Sequence, residues 1–106
     1  MNKKYFYLIF ILFSNMIVLQ TKSDPVYELG KDIFLNKGGC ASCHTLSDAA
    51  SNGAIGPNLN QLRPDFLRVM TAVTNGIGVM PAYEGELNEE EIKAVSQYVS
   101  ISSEKD

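Results

Sequence analysis

Two thiols three positions apart are followed at once by an imidazole in Cys40-Ala41-Ser42-Cys43-His44, and the chain holds no other Cys or His. Sulfurs so spaced can each add across one vinyl group of a haem, sulfur to one carbon and hydrogen to the other. His44 then turns back to bind the iron, and the string is that of a c-type haem attachment. Other uses of two thiols fit less well. A redox-active Cys-x-x-Cys lies between a strand and a helix, whereas this pair follows a predicted helix and Gly38-Gly39. A structural zinc ion takes four protein ligands, so the fourth would have to be a carboxylate. A plain disulfide leaves His44 without a role.

An electron-transferring haem iron needs both axial faces filled, so that no oxygen or peroxide binds. Two methionines beyond the N-terminal segment offer the soft donor, Met70 and Met80. Met70 falls on the apolar face of a predicted helix. Met80 stands in Gly76-Ile77-Gly78-Val79-Met80-Pro81, a loop able to present its sulfur across the haem from His44.

The elements that must position these groups follow a basic, then apolar, leader. Lys3-Lys4 precede a nearly unbroken apolar run from Tyr5 to Leu19, the layout of a secretory signal peptide. The run is short of the roughly 20 apolar residues of a membrane-spanning helix. Thr21 and Ser23 suggest cleavage near Ser23, giving a leader at 1–23 and a domain at 24–106; a retained anchor is the alternative, and only it would bring contact with a membrane.

Within the domain, Asp24 can cap a helix that opens with Pro25. Val26, Leu29, Gly30, Ile33 and Phe34 give it an apolar face up to Gly38-Gly39. Gly30 is costly inside a helix and implies a close crossing. Residues 45–62 read as loop, broken by Gly53, Gly56 and Pro57. A second helix is expected from Pro64, with Asp65 in its first turn and a face of Phe66, Met70, Val73 and Ile77, flanked by Leu67 and Val69. Asn88 and Glu91 form a capping box for a last helix, with Ile92, Val95 and Val99 buried and Ala94 and Tyr98 beside them. The expectation is an all-α domain of three main helices and no strand. So much loop around so small a core calls for a large apolar body at the centre.

From residue 25 to about 103 the chain resembles the class I cytochrome c family, in its compact bacterial form. The likeness rests on the Cys40–His44 string, Gly30 and Phe34, Gly56-Pro57-Asn58-Leu59, Met80-Pro81 and Tyr98. It implies the cytochrome c fold around one covalently bound haem c, with first and last helices crossing at Gly30 among Phe34 and Tyr98. It also implies His44 and Met80 as axial ligands, Pro57 as the carbonyl that receives the proton on the far nitrogen of His44, and Leu59 as a wall of the porphyrin. Tyr83 and Arg63 are candidates for haem-propionate or rim contacts.

These readings imply a one-electron shuttle between periplasmic redox partners rather than an enzyme, with no open coordination site and no organic substrate. A haem subunit bound tightly to a periplasmic oxidoreductase, for example a sulfite-type dehydrogenase, is the alternative. A haem enzyme or ligand sensor would need a labile distal site. From Asp24 onward six basic residues face twelve acidic ones, a net charge near −6. That excludes a nucleic-acid footprint and favours partners with a basic docking face.

Overall fold

The Asp24 side chain accepts a hydrogen bond from the Val26 N–H at 3.0 Å, and Pro25 opens the first helix with no N–H to leave unpaired. This is a computed structural model that describes residues 24–105; the expected leader at 1–23 lies outside them. Helix α1 runs Pro25–Leu35, followed by a 3-10 turn at Cys40–Ser42. An antiparallel pair, β1 (Thr45–Leu46) and β2 (Ser51–Asn52), flanks a second 3-10 turn at Ser47–Ala49. Helices α2 (Leu59–Leu62), α3 (Phe66–Asn75) and α4 (Glu89–Ser102) complete the chain.

The three main helices are those expected, and α4 carries the full capping box. Asn88 Oδ1 accepts from the Glu91 N–H at 2.8 Å, and Glu91 Oε1 accepts from the Asn88 N–H at 3.0 Å. Lys37 adds two contacts to the same carboxylate at 2.8 and 2.9 Å, holding Glu91 below the ordinary carboxylate range. The approach to the cysteines is thereby tied to the start of α4.

Helix α4 is the hub, packing on both α1 and α3. A Cβ on Gly30 would lie inside contact distance of the Ala94 carbonyl and 2.6 Å from Tyr98 Cβ, so the α1–α4 crossing admits no side chain there. The missing Cβ explains the glycine in a helix interior, where it otherwise costs about 1 kcal/mol. Around the crossing, Tyr98 meets Tyr27 and Phe34 edge-on, with ring centroids 5.0 and 5.7 Å apart. Phe34, Leu46, Val95 and Tyr98 are the core's fully buried large side chains.

Four details depart from expectation. Val26 is exposed and Tyr27 turns inward in its place, because the crossing lies a turn farther on and only a long ring reaches it. Residues 45–62 hold the β1–β2 pair and α2, which no period announced. Helix α3 starts at Phe66, since the Asp65 carboxylate is its cap and accepts from the Arg68 N–H at 2.8 Å. Gly76 ends α3 before Ile77, so Ile77 leaves the helical face and stands exposed, as does Leu67; Val69 and Val73 are the residues that α3 buries.

Candidate cofactor site

The chain reaches the cysteines through two backbone bonds. Gly38 N–H donates to the Ile33 carbonyl at 2.7 Å and Gly39 N–H to the Asn36 carbonyl at 3.2 Å, and Gly39 turns left-handed at φ +64° to open the 3-10 turn. The N–H groups of Cys43 and His44 both donate to the Cys40 carbonyl, at 3.1 and 3.0 Å. The string is thus wound into one tight turn. The two sulfurs are not joined to one another.

Burial pushes the Cys40 thiol up to about 11, with a smaller contribution from neighbouring Cys43. A reactive or metal-binding cysteine needs the opposite, a thiol lowered toward neutrality. Among the described residues no group of three or more His, Cys, Asp and Glu side chains is arranged to hold a metal ion, so no carboxylate completes a zinc set with Cys40, Cys43 and His44.

His44 Nδ1 lies 2.8 Å from the Pro57 carbonyl oxygen. A carbonyl has no proton to give, so Nδ1 carries the hydrogen and donates it. The neutral ring then keeps its lone pair on Nε2, the nitrogen turned away from Pro57. The Gly56 backbone lies close against the same ring: a Cβ there would come within 2.5 Å of Cε1 and 2.9 Å of both nitrogens. The Gly56 N–H donates to the Cys43 carbonyl at 2.8 Å, which ties the 56–57 segment to the cysteine turn. Asn58 caps α2 through its side chain, and Leu59, the helix's first residue, is buried in the core.

Met80 closes a short backbone turn. Ile77 N–H donates to the Met80 carbonyl at 3.1 Å and Met80 N–H to the Ile77 carbonyl at 3.0 Å, with Gly78 left-handed at the first corner. Met80 is half-buried against the core, as are Cys40 and Tyr83. Met70 lines a separate groove with Lys37, Thr74, Glu84, Leu87 and Ile92, and none of Cys40, Cys43, His44 and Met80 lines it. The Tyr83 hydroxyl donates to the Gly38 carbonyl at 2.6 Å. It therefore braces the Met80 segment against the approach to Cys40, a role that the expected rim contact did not include. Burial raises its pKa. Arg63, the C-cap of α2, donates from Nε to the Asn60 carbonyl at 3.3 Å.

The donor set fits a covalently held haem. Two thiols and an imidazole stand in one turn, the ring is in the tautomer that leaves Nε2 bare, and a thioether borders the same core. Ile55, Ile77 and Val79, on the segments that carry Pro57 and Met80, are 73%, 69% and 88% exposed, apolar surface that the polypeptide leaves uncovered.

Sequence reasoning missed Asp48, which gathers two tyrosines and two lysines. It is the only charged residue between positions 45 and 62, and an isolated acid in so neutral a stretch was the available signal.

Comparison with known proteins gives a consistent picture. Residues 26–99 match the family model described as cytochrome c oxidase, cbb3-type, subunit III. A cytochrome c6 of Microcystis aeruginosa is 36% identical over 80 residues, covering 72% of this chain and 96% of that protein. A cytochrome c6 of Leptolyngbya boryana is also 36% identical, over 70 residues, covering 62% of this chain and 82% of that one. Among solved structures, the c-type cytochrome SorU from Sinorhizobium meliloti superposes with a TM-score of 0.72 at 53% identity, covering 76% of this chain and 94% of SorU.

Proposed function

As a member of the class I monohaem cytochrome c family, the chain carries one covalently bound haem c and transfers electrons, and we propose that it does so with His44 and Met80 as axial ligands, as an exported carrier between periplasmic redox partners. Bound haem supplies the one-electron Fe(III)/Fe(II) couple. The protein's own contribution is to hold that couple still and to choose who reaches it.

Cys40 and Cys43 anchor the cofactor as thioethers, so it stays with the protein after export. His44 presents Nε2, while the bond from Nδ1 to Pro57 fixes the ring's angle and strengthens it as a donor. This 2.8 Å contact is the observation that carries the reading. Met80 offers its sulfur from the Ile77–Met80 turn, Leu59 contributes to the pocket wall, and a His–Met pair gives a high potential within the range that haem ligation allows. Residues 1–23 serve as the leader, leaving a domain at 24–106. Among the described residues no helix is long and apolar enough to cross a membrane.

The acidic surface includes exposed Glu84, Glu86, Glu89 and Glu90. A partner with a basic face fits it, and association should slow as salt screens the attraction. A second reading is favoured by one feature. Ile77 and Val79 expose apolar side chains on the Met80 turn itself, which suits stable association with a larger redox protein. Size-exclusion chromatography of the native protein separates the two: a free carrier elutes as a small monomer, a subunit with its partner.

The visible spectrum of the purified holoprotein tests the ligand set. A sharp reduced α band, with a weak far-red ferric band that disappears in Met80→Ala, is the expected result. A far-red band that persists in Met80→Ala, or a protein with no Soret band after haem maturation, would sink it.

A further inference from the structure

We propose that Asp48 is a positioning residue for His44, clamping the hairpin that begins directly after the ligand onto the α1–α4 crossing. The inference rests on the reading of His44 as an axial ligand and deepens it.

The β1–β2 pair has two residues in each strand, far too few to hold a hairpin in place alone. Its position must come from outside. Buried Leu46 and Ala49 supply the apolar part of it, and Asp48, in the turn between the strands, supplies the polar tie to the α1–α4 crossing. The Asp48 Oδ2 atom accepts from the Tyr27 hydroxyl of α1 at 3.0 Å and from the Tyr98 hydroxyl of α4 at 2.9 Å. Lys31 Nζ lies 3.5 Å from Oδ2 and Lys105 Nζ 3.6 Å from Oδ1. Lys105 also donates to the Tyr27 hydroxyl at 2.8 Å, and its ammonium stands 4.7 Å from that ring's centre. One carboxylate thus joins the hairpin to both helices of the crossing and to the end of the chain.

The hairpin transmits that anchor to the ligand. Ser51 Oγ accepts from the Leu46 N–H at 3.1 Å and donates to the His44 carbonyl at 2.9 Å. Beside Asp48, the N–H and hydroxyl of Ser47 both donate to Asn60 Oδ1 at 2.8 Å. Asn60 belongs to α2, just beyond the Pro57 carbonyl that receives the His44 proton, and its Nδ2 donates to the Lys105 carbonyl at 2.8 Å. The two halves of the His44 seat, its backbone and its proton acceptor, are therefore locked together beside Asp48. Releasing the carboxylate leaves the Ser47–Asn60 bonds as the hairpin's remaining polar tie and removes its tie to the α1–α4 crossing, so the His44 backbone and the Nδ1–H bond to Pro57 lose that support.

Hydrogen exchange in haem-loaded protein tests this, with wild type, Asp48→Asn, Asp48→Ala and a control, Glu91→Gln. Gln keeps the capping box while weakening the Lys37 ion pair, which includes no residue of the hairpin. Exchange of the His44 Nδ1–H and of the Leu46 and Ser47 amides should quicken on the order of tenfold in Asp48→Asn, the scale of one charge-assisted hydrogen bond weakened to a neutral one. The Val95 and Val99 amides of α4 should change no more than in the control. Equal quickening across hairpin and α4 would show a role in global stability only and overturn the proposal, as would an unchanged His44 proton. Should Asp48→Ala fail to mature, Asp48→Asn, whose amide oxygen can still accept from the tyrosines, decides the matter. The wild-type spectrum tests the ligand reading separately, so the two failures are distinguishable.

Discussion

The two sides of the proposed haem site, at His44 and at Met80, are built to different standards. On the His44 side several contacts converge. The ring is held by the Pro57 carbonyl and by Gly56, the backbone by Ser51, and the supporting segments by Asn60 and Asp48. On the Met80 side one two-bond turn presents the sulfur, the Tyr83 hydroxyl and the backbone bonds from the Tyr83 and Glu84 N–H groups to the Val73 and Thr74 carbonyls hold the chain just beyond it, and Ile77 and Val79 stand in solvent. The contrast points to a division of labour. In the proposed ligand set the histidine follows the cysteine turn directly and is held from several directions, while the methionine comes from a turn whose further support begins only at Tyr83. Loss of order should start on the Met80 side.

The sharpest way to break this contrast compares two glycine substitutions. Gly56→Ala forces a Cβ into three atoms of the His44 ring, so either the ring tilts or Pro57 moves away. Overpacking of this kind costs about 1–3 kcal/mol, and the rigidity of the His44 side puts the expected loss near the upper end. Gly78→Ala meets no neighbour, and its cost is only that of the left-handed backbone at φ +56°, about 1 kcal/mol. Guanidinium unfolding of the two holoproteins measures both. If Gly78→Ala proved the more damaging, the Met80 turn would be the stiffer side.

Tyr83→Phe is a finer probe. It removes the one side-chain tie between the Met80 segment and the cysteine approach, a neutral hydrogen bond worth about 1 kcal/mol. The expected outcome is a small fall in global stability together with an earlier loss of the far-red ferric band during titration with denaturant. A band that disappears only with global unfolding would mean that Tyr83 does not brace Met80.

The same contrast governs what could be read from sequence. The helices that carry the core announced themselves, because Asp24-Pro25 and Asn88 to Glu91 are local signals whose physics is complete within four residues. Gly30 was legible as a close crossing for a related reason: a mid-helix glycine has a cost that only a neighbour can justify. The haem string was local too. What escaped was whatever depends on distant partners. Asp48 gains its meaning from Tyr27, Tyr98 and Lys105, and no spacing rule joins those positions. The β1–β2 pair is too short to show a period. Ile77 continued the helical spacing on paper, yet Gly76 ended the helix one residue earlier. At Pro64 the proline drew attention to itself, although Asp65 was the cap.

The smallest expected effect comes from acid. Two tyrosine hydroxyls, with Lys31 and Lys105, hold the Asp48 carboxyl below its ordinary value of 3.8, outweighing the burial that would raise it. Its folded pKa is therefore lower than its unfolded one. Its contribution is fully present above about 3.8, and falls away as pH drops through the depressed folded value. Stability measured against pH between about 2 and 5 should fall more steeply in wild type than in Asp48→Asn, which has no proton to take up there. Hydrogen exchange over the same range sharpens the test. The Met80 turn is tied through backbone groups and a tyrosine hydroxyl, none of which titrates in acid. The hairpin amides at Leu46 and Ser47 should thus lose protection with falling pH more than the amides of Ile77 and Met80 do, reversing the order set by denaturant. If both sides lost protection in parallel, Asp48 would be acting on the whole domain, and the two sides would not be mechanically separate.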